Sequence, residues 1–473
     1  MLKLVDIIEA LSGIRPDGAH LGISEAVVDS RNATPGSLFI AIPGENVDGH
    51  DYVDQAFECG ANLAIIQKDI LHTYPMLDLR SDKQFIEPAS WIGPICLRVE
   101  NSLKALQSIA SYWRKKNEAK IIGITGSVGK TTTKELVAEV LSQRYPTLKN
   151  PGNLNNEIGL PLTMLSLDKH HKRAVLEMGF YVPGEIALLC NIAMPQIGVV
   201  TNVGTVHAGR AGSQAEIAKG KAELVQALPP APEGVAILNF DDPLVRKMAS
   251  STSARVFFYG LDPQADLWAD NVEGYGLEGI RFRLHYHNEV LYLRIPLIGR
   301  HSVHTALRAA AVGLVDNLTW QEIVNGFRSE HSQLRLMTVR AKCGALVLDD
   351  TYNASPESML AALNLLDELD GRKIAVLGDM LELGQYEKQG HEMVGVRVAE
   401  VVEELITIGD LGQMIADAAL RAGLPQPVIS EFSDTSQVIK YLENHLDSND
   451  VVLVKGSRGM RMDRIVSALE RNP

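Results

Sequence analysis

The chain has 473 residues, 45 basic and 58 acidic side chains, a formal charge of −13, 46% hydrophobic residues and 4 cysteines. At roughly 150 residues per domain this length suggests about three domains, and the apolar content rules out wholesale disorder. The net acidity argues against a nucleic-acid scaffold, which would carry a basic stripe, but a local patch can still hold an anionic ligand.

The start, MLKLVDIIEALSG, carries acids too early and lacks a cleavage site for a signal peptide, so it reads as an amphipathic helix. Cys59, Cys96, Cys190 and Cys343 are scattered, with no close pair of a redox or zinc motif, as in a reducing compartment. No apolar run approaches the roughly 20 residues of a membrane span. A cytoplasmic protein without a membrane span is expected.

Residues 1 to about 101 carry short apolar runs, Ser37 to Ile42, Ala61 to Ile66 and Ile95 to Val99, flanked by Gly, Pro or Asp as strands are. At Asn101 the pattern turns helical, with Leu103, Leu106, Ile109 and Ala110 at helical spacing. The second region, 102–330, opens with a strand (Ile121, Ile122, Ile124), the loop TGSVGKTTT and a helix with Leu136, Val137, Val140 and Leu141 on one face. Ala174 to Leu176 and Ile197 to Val203 read as buried strands. Ile280 to Ile295 alternates, as an antiparallel hairpin appended to a parallel sheet does. In 331–473, strand-like Leu346 to Leu348, Ile374 to Leu377, Leu405 to Ile408 and Val451 to Val454 alternate with helices. The expected fold class is α/β in three domains, with boundaries at 1–101, 102–330 and 331–473, the last doubly wound and Rossmann-like.

The loop from Thr125 through Gly126, Ser127, Val128 and Gly129 to Lys130, Thr131 and Thr132 is the strongest local signal. Glycines let backbone amides turn onto phosphate oxygens, and the helix start adds its positive dipole end. Lys130 would reach the terminal phosphates and the Thr131 hydroxyl a magnesium ion. The general pattern has Gly where this chain has Ile124, so the loop is a variant. A Gly/Thr turn between strand and helix is the plainer alternative.

Glu177 ends the strand AVLEMG, where a parallel sheet would deliver it beside that loop. His207 follows the strand that ends at Val203. Histidine is an uncommon magnesium ligand, and on spacing alone a hydrogen-bonding surface residue accounts for it. Ser213 and Glu216 make a capping box opening a helix. On it Lys221 lies amid Ile217, Leu224, Val225 and Leu228, while Lys219 points the opposite way. A buried ammonium is costly unless paired or altered. A neutral amine could take up carbon dioxide as a carbamate and become an anionic metal ligand. A snorkelling lysine with its head in water is the alternative that spacing alone favours.

Together these segments resemble the Mur ligase family, ATP-dependent amide-forming enzymes of peptidoglycan precursor synthesis, over nearly the whole chain. DSR (Asp29, Ser30, Arg31) and TPGSLFIAIPGENVDGHDY, with Asp48 and His50, are similar to its nucleotide-sugar-binding domain. TGSVGKTTTKE resembles its phosphate loop, and KNPGNLNNEIGLPLT, with Asn155 and Asn156, its substrate-contacting segment. LEMG, TNVGTVH and the Lys221 helix match its metal positions. DDTYNASPESM, VLGDMLELG and KGSRGMRMD are similar to the branch that joins D-alanyl-D-alanine to UDP-MurNAc-tripeptide.

The resemblance implies a small UDP-binding domain, a central P-loop ATPase domain with a parallel sheet, and a C-terminal Rossmann-like domain. It implies ATP and Mg2+ as cofactors, with metal positions at Thr131, Glu177, His207 and a carbamylated Lys221. It implies contacts to ATP from His301, Arg335, Asp350 and Asn353 besides the loop, with Arg335 reaching the γ-phosphate. Lys455 and Arg458 are candidates for peptide carboxylates. The expected state is a monomer. The chain departs from the family pattern at Ser302 and Thr305, where asparagines are common, and at Gly209, Leu334 and Ser355. A related ligase adding a single amino acid, a folylpolyglutamate synthase and a noncatalytic P-loop switch are the competing readings. The first usually carries a DNPR-type segment, absent here, and the second has no use for the N-terminal domain. A switch leaves Lys221 and Arg335 idle.

Overall fold

The computed structural model of the protein describes residues 1–70, 74–80, 91–206, 208–328 and 337–470. His207, Leu334 and Arg335 lie outside the described residues. The chain divides into two compact units. The first comprises Met1–Gly123, Tyr145–Gly179 and Glu185–Gln196; the second comprises Ile124–Arg144, Phe180–Gly184 and Ile197–Pro473.

In the first unit the expected N-terminal helix spans Leu4–Ser12, burying Leu4, Val5, Ile7 and Ile8 and ending at Gly13 in the left-handed conformation. Strands β1 (Ala26–Val27), β2 (Leu38–Ile40), β3 (Leu63–Ile66), β4 (Met76–Asp78) and β5 (Ile95–Arg98) form a sheet in the order β1-β2-β3-β5-β4. Every pairing in it is parallel, which suits the unbroken burial of β2 and β3. Asn101 caps the helix Ser102–Lys115, accepting from the Lys104 amide at 2.8 Å. That helix stays with the first unit: the Trp113 indole donates to the Leu167 carbonyl and the Arg114 Nε to that of Ala193, both at 2.8 Å.

Strand β6 (Lys120–Thr125) begins in the first unit and ends in the second. Strands β7 (Thr147–Lys149) and β8 (Arg173–Glu177) pair parallel in the first. The second unit holds β9 (Ile197–Val200), β10 (Val235–Asn239), β11 (Arg255–Gly260), β12 (Leu267–Gly274), β13 (Ile280–Tyr286) and β14 (Glu289–Ile295). From β9 to β12 the pairing is parallel, and from β12 to β14 antiparallel. The alternating 280–295 segment is thus the appended hairpin its pattern predicted.

A six-stranded sheet completes the second unit: β15 (Met337–Arg340), β16 (Leu346–Asp350), β17 (Arg372–Gly378), β18 (Glu404–Ile408), β19 (Ile429–Phe432) and β20 (Asp450–Lys455), in the order β15-β16-β20-β17-β18-β19. Only the edge strand β15 is antiparallel to its neighbour. Alternate residues feed opposite cores, as a pleated strand requires. Ala375 and Leu377 join Met359, Leu363 and Val394, whereas Ile374 and Val376 join Val438, Leu442 and Ile465. The last strand in sequence sits between β16 and β17. That topological switch brings the ends of β16 and β20 side by side, where doubly wound sheets bind ligands.

Candidate active site

Thr125 and Ile124 are fully buried in β6, so the turn begins only at Gly126. Gly126 has φ +147° and Gly129 φ +81°. A Cβ on Gly126 would fall 1.8 Å from the Thr201 Oγ1, so only glycine fits. Gly129 then opens the helix Lys130–Ser142. The strand end after β9 supports the loop. The Ser127 amide donates to the Asn202 carbonyl at 3.0 Å and the Val128 amide to its Oδ1 at 2.9 Å. The Thr201 hydroxyl donates to the Val128 carbonyl at 2.7 Å, and the Gly204 amide to the Ser127 hydroxyl at 2.9 Å. Lys130 folds back, its Nζ donating to the Gly126 carbonyl at 2.8 Å and that of Ser127 at 3.2 Å. This is a glycine-turned strand–loop–helix with a lysine at the helix start, an anion-favouring geometry.

Ser213 caps the helix Gln214–Gln226, its Oγ accepting from the Glu216 amide. Lys221 is 1% exposed, while the Lys219 side chain is 72% exposed, as helical spacing required. The snorkelling alternative is therefore excluded. The Lys221 ammonium lies 4.9 Å from the Phe180 ring centroid. Phe180 packs so close to this helix that a Cβ on Gly220 would fall 2.0 Å from the ring. Burial first, then the charge of Lys130, holds the Lys221 pKa well below its ordinary value. Among the described residues no carboxylate pairs with it.

In the first unit Glu177 is 3% exposed at the end of β8. Asn155 Nδ2 donates to its Oε1 at 2.9 Å, and Asn150 brackets its backbone from both sides. Asn155 is thus engaged with Glu177. The Asn156 Oδ1 accepts from the Gly159 amide at 2.8 Å, capping a short helix. Asp29 holds Arg31 bidentately, and that guanidinium pushes the Asp29 carboxyl down to about 2. The Ser30 hydroxyl donates to the Gln55 Oε1 at 2.7 Å. Asp48 accepts from Lys68 Nζ and His50 Nδ1, each at 2.6 Å, while His50 Nε2 accepts from the Gln67 amide. The Lys68 ammonium is the chief cause of the lowered Asp48 pKa. Asp48 and His50 therefore brace each other, and the Arg31 side chain is the exposed member of the set.

At the carboxyl ends of the six-stranded sheet, Asp350 and Lys455 face each other in register. Lys455 is 1% exposed and donates to the Asp350 Oδ2 at 2.7 Å and the Asn353 carbonyl at 2.9 Å. Lys455 is thereby tied to the two residues expected at the nucleotide, and the exposed cations of its segment are Arg458 and Arg461, the latter paired with Asp463. Ser355 caps the next helix, accepting from the Ser358 amide, which accounts for a serine there. Lys455→Met should lower unfolding free energy by about 3 kcal/mol, because Asp350 stays partly buried without its cation. Adding Asp350→Leu should recover most of the loss. Urea unfolding of both variants checks this, and an unchanged midpoint for Lys455→Met refutes it.

His301 is an exposed residue with other protein groups packed around it. Burial, then the neighbouring His304, Arg308 and Lys455, push it down to about 4, so it is neutral at pH 7. The Ser302 hydroxyl donates to the Ile298 carbonyl at 2.6 Å, and the Thr305 Oγ1 accepts from Arg308 at 2.8 Å. Gly209, another of the departures, donates its amide to the Glu382 carbonyl at 3.1 Å, and Arg210 pairs with the Glu382 carboxylate at 2.9 Å.

Sequence reasoning did not single out Asn202, Phe180 or Arg308. Asn202 and Phe180 act through partners far along the chain and carry no local mark. Arg308 did carry one: it is a lone charge in a helix whose residues from Thr305 to Gly313 are all buried.

Among the described residues no group of three or more His, Cys, Asp or Glu side chains forms a ready metal site. Magnesium does not need one, since it binds through one or two protein oxygens, water and phosphate. The Thr131 hydroxyl and the Glu177 carboxylate are donors of the right kind.

The second unit is by these features a phosphate-binding α/β fold of the P-loop class. Residues 124–313 match the Mur ligase middle domain, 334–458 the Mur ligase, glutamate ligase domain, and 23–114 the Mur ligase family, catalytic domain. The chain belongs to the Mur ligase family. It is 32% identical over 455 residues to the UDP-N-acetylmuramoyl-tripeptide--D-alanyl-D-alanine ligase of Bacillus subtilis (strain 168), covering 95% of this chain and 94% of the relative. The ligase of the same name from Synechocystis is 36% identical, with 94% and 92% covered. The crystal structure of MurF from Acinetobacter baumannii superposes with a TM-score of 0.83 at 29% identity, covering 99% and 98%. The MurF ligase of Thermotoga maritima, solved in complex with ADP, gives 0.77 at 28% identity, covering 94% and 96%.

Proposed function

We propose that this chain joins D-alanyl-D-alanine to UDP-MurNAc-tripeptide, cleaving ATP to ADP and phosphate, in the cytoplasm. The likeness in sequence and in fold over nearly the whole chain to ligases of that name carries this reading. Among the described residues no helix is long and apolar enough to cross a membrane, which agrees with a nucleotide-sugar substrate met in water. Residues 1–101 would hold the UDP-sugar, 102–330 the ATP, and 331–473 the dipeptide side.

The chemistry follows from the charges. A carboxylate is a poor electrophile, so its oxygen first attacks the γ-phosphorus and ADP departs. The amine of the dipeptide then attacks the acyl carbon, inorganic phosphate leaves, and the amine gives up a proton. Both partners of the first step are anions, so catalysis rests on neutralisation. Lys130 supplies one cation from the loop, and Arg335 a second from the C-terminal region. The Thr131 hydroxyl, Glu177, His207 and Lys221, carbamylated by carbon dioxide with loss of a proton, would hold magnesium. Bound there, magnesium would supply positive charge against the phosphates and Lewis acidity toward the reacting carboxylate. Asp350 and Asn353 would meet the nucleotide with Lys455 fixing their place, and His301 would line the adenine end. Arg31, Asp48 and His50 would shape the UDP-sugar end, and Arg458 would take a peptide carboxylate.

A substrate-swap assay tests this. Purified protein should release phosphate from ATP only with both UDP-MurNAc-tripeptide and D-alanyl-D-alanine present, and yield the pentapeptide. Turnover with a shorter UDP-MurNAc-peptide and a single amino acid instead would overturn it.

A further inference from the structure

Arg308 is 4% exposed on the helix Val303–Val315. Its Nη2 donates to the Thr305 Oγ1 at 2.8 Å, and its guanidinium carbon lies 5.9 Å from the Tyr259 ring centroid. The Nε is buried without a hydrogen-bond partner. The guanidinium also abuts the phosphate loop: a Cβ built on Gly129 would sit 3.1 Å from Nη2 and 3.8 Å from Cζ. No carboxylate among the described residues pairs with it.

The acids of this neighbourhood are already engaged. Asp241 accepts from His304 Nε2 at 2.9 Å and from the amides of Leu261 and Asp262. Asp242 accepts from the amides of Val203, Leu244 and Val245.

A buried cation without a counterion is costly. Here it also stands at the positive end of the Lys130–Ser142 helix, beside the loop that carries Lys130, where helix dipole and ammonium both repel it. An anion in the loop would balance this collection of positive charge.

We propose that Arg308 binds the polyphosphate of the nucleotide held by this loop. The proposal rests on the nucleotide reading of the loop given above. In the ligated state the guanidinium pairs with a phosphate oxygen near the turn at Gly129, and the unpaired Nε gains an acceptor. Thr305 orients the fork from one side.

The test uses the full chain and three probes, ATP, ADP and adenosine, in binding titrations on wild type, Arg308→Met and Arg308→Lys, with thermal melts of each. Arg308→Met should weaken ATP and ADP by roughly tenfold or more while leaving adenosine unchanged. Its melting point without nucleotide should equal or exceed that of the wild type, because a buried lone charge is replaced by an apolar chain of like length. Arg308→Lys keeps the charge without the fork and should fall between the two. Equal ATP affinity in wild type and Arg308→Met overturns the proposal alone. So does a parallel loss of ATP and adenosine, which marks a packing role. If Arg308→Met does not fold, Arg308→Lys decides: ATP weakened with adenosine unchanged supports the proposal, and ATP unchanged overturns it. A wild type that binds no ATP overturns it together with the nucleotide reading.

Discussion

Lys221→Ala should reduce ligation by more than about a hundredfold. The side chain is 1% exposed on the face shared with Ile217, Leu224 and Val225. Burial and the nearby Lys130 both disfavour its charged form. An apolar residue would be less costly there, and the proposed carbamate is a use for the amine that burial alone does not give it. The neutral amine is the form that adds carbon dioxide. A small carboxylate such as formate, added to the alanine variant, should restore part of the activity by replacing the missing anion. A second signature comes from pH. The folded pKa lies below the ordinary 10.5, so between the two values the unfolded chain binds more protons than the folded one. Stability then rises with pH across that window and the gain is complete near 10.5. In carbon-dioxide-depleted buffer, Lys221→Ala should lose this part of the slope. Full activity in the alanine variant would sink the carbamate, whatever its stability.

The parts of the site that sequence reveals are those whose cause is local. The loop was legible because Gly126 and Gly129 sit between an apolar strand and an amphipathic helix, and their positive φ is what glycine is for. Lys221 was legible because helical spacing alone puts it on the buried face. The same argument would have found Arg308, on a helix buried all round, had it been applied there.

What remained illegible depends on register between distant segments. Lys455 reads as a cation awaiting a ligand until β20 is seen inserted beside β16, which sets it opposite Asp350, 105 residues earlier. Asn202 looks like any strand-end asparagine, yet it holds the Val128 amide 74 residues back. Asn156, in the segment that resembles the family's substrate contacts, also has its Oδ1 on the Gly159 amide at a helix start, a partner its spacing does not single out. The same long-range logic explains why Gly209 can replace an acid. Its amide meets the Glu382 carbonyl, and a Cβ there would fall 3.3 Å from that oxygen and 3.4 Å from the Gly384 nitrogen, so this close backbone approach favours glycine.

Lys130→Ala should lower turnover by roughly a hundredfold or more, equivalent to at least about 2.7 kcal/mol of transition-state stabilisation, with little change in melting temperature. The loop does not depend on this side chain for its shape. Asn202 takes the Ser127 and Val128 amides, and Thr201 the Val128 carbonyl. Without nucleotide the ammonium covers two loop carbonyls, those of Gly126 and Ser127, which water can cover equally well. Its loss should appear in kcat more than in ATP affinity, because charge builds on the transferring phosphoryl group only as the reaction proceeds. The variant carries a second consequence, readable apart from turnover. Lys130 is one of the two causes that depress the Lys221 pKa, the lesser beside burial. Removing it should let that pKa rise, so a smaller fraction of Lys221 is neutral and carbamate formation shifts to higher pH. Carbon-13 bicarbonate labelling of Lys221 followed against pH would detect the shift. Near-normal turnover in Lys130→Ala, with labelling unchanged, would mean that the loop holds something other than the phosphates of the reacting nucleotide.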